Sequence, residues 1–176
     1  MYVAHLATAL AIKGAQPKAP VWALATAVFL PDLVWLGLSI AGIERVDGAT
    51  WFDGWSHSVL SILVQAAVAA AVFRRAGRDV ALAVGIAVAS HLLLDLPMHP
   101  ARLQWYPHAS METGNFLHGW AGVSAWFGRS NGWWTETLLV VGLLAAYVLT
   151  SRRAGIGPNI VAASALFVLS LQFVYG

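Results

Sequence analysis

Apolar positions in this chain form long unbroken runs, separated by short polar segments. Runs over 21–43, 55–73, 79–97, 132–150 and 156–175 are each close to the roughly 20 residues needed to cross a hydrocarbon core. A sixth apolar stretch, MYVAHLATALAI at 1–12, is too short to span. It reads either as a half-helix packed against the bundle or as the outer end of a helix that continues into the first loop. Helix is expected throughout, because a backbone in lipid must satisfy its own hydrogen bonds, and a barrel would need alternating patterns. The expected fold is all-α: a polytopic transmembrane helix bundle of five spans plus a short N-terminal half-helix, in one domain over 1–176.

Composition agrees with the pattern. Of the 176 residues, 59% are apolar and 10% charged, against roughly 25% charged in a soluble domain. The net charge is +2, and the few basic residues lie in short loops, where membrane topology accounts for them; nucleic acid is not an expected partner. There is no cysteine, so any bound metal must be held by nitrogen and oxygen. Basic residues Lys13 and Lys18 follow the first apolar stretch, the reverse of a cleaved signal peptide.

The loops sort by charge. Lys13 and Lys18, then Arg74, Arg75 and Arg78, then Arg152 and Arg153 mark three basic loops. These alternate with 44–54, which carries Glu44, Arg45, Asp47 and Asp53, and with 98–131. The positive-inside rule places the basic loops in the cytoplasm. Trp51, Trp55, Trp105, Trp120, Trp126, Trp133 and Trp134 then gather on the outer side, as an interfacial aromatic belt would. Asp53, Glu112, His108 and His118 carry no expected role, and Arg102 and Arg129 read as interfacial arginines.

Several apolar runs are interrupted by side chains that bind metals. Asp32 lies inside the first, His57 opens the second, and His91 and Asp95 lie inside the third. A carboxylate at a helix centre costs about 2.5–3.5 kcal/mol on insertion scales, so something must compensate it. At about 1.5 Å per residue, Asp32 and His91 stand roughly 17–18 Å from the cytoplasmic ends of their spans, Asp95 about 24 Å and His5 about 12 Å. His57 is near the outer end of its own span, so all five fall in the middle or outer half of the bilayer. His91 and Asp95 are four apart and share a helix face, half of a site for Zn²⁺, Mn²⁺ or Fe²⁺. Pro31 removes a backbone donor, frees the Ala27 carbonyl and breaks the helix beside Asp32. Ser56, Ser58 and Ser90 are placed to orient ligands. The plainer alternatives are that Asp32 and Asp95 each pair with a histidine as polar glue between helices, and that His5 and His57 are satisfied interior or interfacial residues.

In order along the chain, AHLATAL, FLPDLVWL, GWSHSVL and SHLLLDLPMH resemble the YdjM-type family of inner-membrane metal-dependent hydrolases. They are more distantly similar to the zinc-dependent phospholipase C family. The resemblance covers residues 1–110 and leaves the last two spans, 132–176, as scaffold. It implies His5, Asp32, His57, His91 and Asp95 as metal ligands, with His99 as a possible addition. No acidic residue follows in MHPARLQWYPH, so the ligand set stops there. Five ligands suit one Zn²⁺ with a spare carboxylate, or two ions bridged by an aspartate.

The expected function is a membrane-bound metal-dependent hydrolase of the inner membrane, with its site toward the extracytoplasmic half. A metal-activated water would attack a phosphodiester or other ester of a lipid-like substrate. Asp32 or Asp95, whichever is not a terminal ligand, would serve as the catalytic base. Zinc is the first-choice cofactor, with manganese or iron as alternatives. Two other classes compete: a non-catalytic scaffold or binding protein with a structural metal, and a proton- or cation-coupled transporter. The transporter predicts a second broken helix late in the chain.

Overall fold

Ten short elements build the architecture, in a computed structural model that describes residues 2–47, 50–95, 104–109 and 131–172. In chain order they are α1 (Tyr2–Ala15), α2 (Val21–Val28), α3 (Leu30–Ile40), the strands β1 (Arg45–Asp47) and β2 (Thr50–Phe52), then α4 (Gly54–His57), α5 (Val59–Phe73), α6 (Arg78–Asp95), α7 (Asn131–Arg153) and α8 (Ile160–Gln172). The all-helical expectation holds apart from β1 and β2, which pair antiparallel with Val46 opposite Trp51.

The five expected spans are not all met. Among the described residues, Val59–Ala76 and Thr135–Arg153 are long and apolar enough to cross a membrane, and α2 with α3 adds a third if that bent pair is one span. The shortfall has physical causes. The 18 residues of α6 include Arg78, Asp79 and Asp95, and those charges dilute its hydropathy. The 13 residues of α8 reach only about 20 Å.

Each helix boundary has a local reason. α2 and α3 meet at Phe29 with a bend of 54°. Pro31 lies in the first turn of α3, where its missing N–H is harmless. Ser58 is extended, and its hydroxyl caps α5 by accepting from Ser61 N–H at 3.3 Å. α1 starts against a distant partner: Glu136 of α7 accepts from the N–H groups of Val3 and Ala4 at 3.0 and 3.3 Å.

Two apolar cores result. One joins α2, α5 and α6 through Leu24, Val28, Ile62, Val84 and Val88. The other joins α1, α7 and α8 through Val3, Ala7, Leu144, Tyr147 and Ala163, with Leu94 of α6. α1 reaches both, because Ala9 belongs to the first core and Ala4 to the second. Its small residues let α7 approach closely. A Cβ added to Gly14 would lie 2.8 Å from the Tyr147 carbonyl oxygen and would collide with the Thr150 hydroxyl. The outward faces remain apolar: on α5, Leu60, Leu63, Val64, Val68 and Val72 are all more than half exposed or nearly so, Val72 reaching 70%. Exposed apolar faces of this kind mark contact with a membrane or with another protein.

Candidate metal centre

Where the two cores meet, the interior turns polar. His5 of α1, His57 at the end of α4, and His91 and Asp95 of α6 are all buried. Asp32 of α3 joins them with 37% of its side chain exposed. The chain delivers each from a different direction. The α2–α3 break turns Asp32 inward, and the switch from α4 to extended Ser58 places His57 just before α5 begins. One helical turn separates His91 from Asp95, on the same face of α6.

Four ligand atoms converge. His57 Nε2 lies 3.3 Å from Asp32 Oδ1 and 3.3 Å from His91 Nε2. His91 Nε2 lies 3.1 Å from Asp95 Oδ2 and 3.7 Å from Asp32 Oδ1. His57 Nε2 and Asp95 Oδ2 are 4.0 Å apart. His5 approaches from the other side of Asp95, with Nε2 3.8 Å from Oδ1. Its ring is tilted on His91, centroids 4.3 Å apart, and stacks on Phe29 at 5.6 Å.

Two ligand trios can be drawn: His5, His91 and Asp95, and Asp32, His57 and His91. Both use His91, whose Nε2 has a single lone pair, so one ion takes that nitrogen. The five expected ligands therefore form one cluster able to hold a metal ion, with His91 common to both trios. His99 lies outside the described residues, as do Arg102, Glu112, His118 and Arg129.

The histidine orientations are fixed from behind. His91 Nδ1–H donates to the Val28 carbonyl at 2.8 Å. A carbonyl only accepts, so Nδ1 carries a proton, and Nε2 is the nitrogen turned to the cluster. Pro31 was expected to free the Ala27 carbonyl; the carbonyl that is used at this break is that of Val28. Of the three serines expected to orient ligands, Ser56 does so, with Oγ 2.7 Å from His57 Nδ1. Ser90 bonds back to the Ala87 carbonyl at 2.7 Å, and Ser58 is committed to Ser61.

One acidic residue that sequence reasoning left in a polar loop belongs here. Glu44, between α3 and β1, is 1% exposed. It accepts from Ser56 N–H at 2.8 Å and from the Ser56 hydroxyl at 2.7 Å. Its neighbours Arg45 and Asp47 made the segment look solvated; the only hint was a carboxylate directly after the apolar Gly42-Ile43. The nearby wall is aromatic: Phe52 stacks on His108 at 4.4 Å, and Trp55 meets the same ring edge-on at 5.8 Å. Trp55 and Trp105 are about half exposed there; of the other tryptophans expected on that side, Trp120 and Trp126 lie outside the described residues.

No family model, curated protein or solved structure matches the chain.

Proposed function

We propose that this chain is a membrane-bound metal-dependent hydrolase acting on a phosphodiester or other ester of a lipid-like substrate. Its single ion would be held by His57, His91 and Asp95, with Asp32 on the solvent side and His5 behind Asp95. The observation that carries this reading is that His57 Nε2 and His91 Nε2 lie 3.3 Å apart and each stands 3.1–4.0 Å from a carboxylate oxygen of both Asp32 and Asp95. Tetrahedral ligands at about 2.0–2.1 Å from zinc stand about 3.3–3.4 Å from one another. The donor set is imidazole nitrogen and carboxylate oxygen, which suits zinc first and manganese or iron next. The order of the four motifs supports placing the chain beside the YdjM-type hydrolases.

A divalent ion bound there would supply Lewis acidity and would acidify a water molecule beside it. The chain supplies the rest. His57 and His91 hold the ion with nitrogens aimed from behind. Asp95, almost wholly buried and flanked by two histidines, is an anchoring ligand. Asp32 is the carboxylate that solvent reaches, so it accepts the proton of the attacking water. One turn beyond it on α3, Leu36 is half exposed, apolar surface on which an acyl chain can lie. With the basic loops inside, the site falls in the outer half of the inner membrane.

A second reading has its own support: four protein ligands can close a tetrahedral site, as in structural zinc centres. One experiment separates the two. Detergent-purified protein is assayed for metal by mass spectrometry, then offered phosphodiester and carboxyl-ester lipids. The expected result is about one zinc per chain, lost in Asp95→Ala, with metal-dependent head-group release. Bound zinc with no hydrolysis of any ester would favour the structural reading. Metal-free protein that cannot be reconstituted would overturn both.

A further inference from the structure

The two central histidines solve one problem by different means. A neutral imidazole offers a lone pair on only one nitrogen, so a ligand histidine needs the other nitrogen protonated. For His91 a carbonyl settles the matter. For His57 the group behind Nδ1 is a hydroxyl, which can either donate or accept. On its own, Ser56 would allow both tautomers.

Glu44 removes that freedom. The Ser56 hydroxyl has one proton and three neighbours: Glu44 Oε2 at 2.7 Å, the Asp53 carbonyl at 3.1 Å and His57 Nδ1 at 2.7 Å. The Asp53 carbonyl already accepts the N–H groups of Ser56 and His57 at 3.2 and 2.8 Å, which leaves the Glu44 carboxylate oxygen as the acceptor that needs the hydroxyl proton. The proton goes to Glu44, and Oγ is left to accept from Nδ1–H. The second carboxylate oxygen takes the Ser56 N–H, so the acid is held at both ends. Ser56 itself is pinned, because Gln65 Nε2 donates to its carbonyl at 2.8 Å. A buried carboxylate is costly unless fully hydrogen-bonded, and these bonds offset that cost.

We infer that Glu44, acting through Ser56, is a positioning residue that fixes His57 as the Nδ1–H tautomer and so keeps Nε2 available to the ion. This rests on the metal-centre reading above, but the tautomer itself is a property of the metal-free chain. Neither Glu44 nor Ser56 touches the ion. In Glu44→Gln, the side-chain oxygen can keep the Ser56 N–H while the amide nitrogen faces Ser56 Oγ as a donor. The hydroxyl proton then turns toward His57 Nδ1, and the hydrogen moves to Nε2, where it blocks coordination.

The test uses full-length protein in detergent with ¹⁵N-labelled histidine, and zinc as the probe. In the metal-free wild type, His57 is expected to show a protonated Nδ1, whatever proton Nε2 shares with Asp32 at 3.3 Å. Glu44→Gln is expected to move it toward the opposite tautomer, and zinc affinity, measured by competition with a chelating dye, to fall about 10–100-fold. Ser56→Ala should weaken zinc similarly, whereas Ser56→Thr, which keeps the hydroxyl, should retain wild-type affinity. If Glu44→Gln does not fold, the Ser56 pair decides. Unchanged tautomer and affinity in Glu44→Gln, or equal losses in Ser56→Thr and Ser56→Ala, would overturn the inference. A wild type that binds no zinc would overturn the metal reading, and the tautomer comparison would still judge Glu44.

Discussion

His91 uses its two ring nitrogens for different tasks. Nδ1 ties α6 to the Val28 carbonyl, and Nε2 faces three other ligand atoms within 3.7 Å. The two aspartates divide in a similar way, by exposure rather than by type. Asp32→Asn is therefore expected to leave about one metal bound per chain at saturating zinc while hydrolysis falls about 10²–10⁴-fold. Asp95→Asn is expected to lose the metal itself. Metal content and turnover measured on the same preparations check both; equal metal loss in the two variants would remove the distinction. The five ligand candidates were legible in the sequence because ionisable side chains in apolar runs demand a compensating partner. Glu44 was not legible, because a carboxylate among Arg45 and Asp47 looks solvated until folding brings Ser56 against it. The serines show the same limit. Position beside a histidine nominated Ser56 and Ser90 equally, and only helix geometry sends the Ser90 hydroxyl back to its own backbone.

At the level of elements, the informative irregularities are the places where helices stop. The α2–α3 bend was foreseeable from Pro31 inside an apolar run. The β1–β2 pairing was missed, although Asp47-Gly48 between Val46 and Thr50-Trp51-Phe52 is a hairpin signal; span-length reasoning reads such a stretch only as a loop. The N-terminal helix, left open by the sequence, is a full 14-residue element whose most extensive packing is on α7. Gly14 makes that packing possible. Gly14→Ala is expected to destabilise the protein by about 1–3 kcal/mol, the usual cost of overpacking, lowering the melting temperature in detergent. Gly142→Ala, where an added Cβ meets nothing within 4 Å, should be neutral or slightly stabilising. Equal melting of the two variants would remove the close α1–α7 contact as a stability determinant.

For the whole molecule, the polar centre and the apolar outside are two sides of one arrangement. Ligands from α1, α3, α4 and α6 meet at one place, so an ion bound there cross-links four elements. At a free zinc concentration 100 times its dissociation constant, linkage gives about 2.7 kcal/mol, or about 5–10 °C in a chain of this size. Chelation is expected to lower the melting temperature by that amount and zinc to restore it; a chelation-insensitive transition would argue against a native-state ion. The exposed leucines and valines of α5 predict that the protein stays with membranes through an alkaline wash and needs detergent for extraction. Long apolar runs made helices of membrane-crossing length readable from the sequence. How many runs reach that length was less readable, because the charges at both ends of α6 and the short reach of α8 are features that a count of apolar windows smooths over.

The hydrogen bonds from Val3 and Ala4 to Glu136 join positions more than 130 residues apart. During synthesis, the helix carrying His5 leaves the ribosome long before its α7 partner exists. Asp32, His57, His91 and Asp95 are all made before that partner too, but the α1 wall of the pocket gains its most extensive packing only after α7 has been made. The placing of His5 beside Asp95 is thus a late event in the life of the chain, and it reports that α1 has met α7.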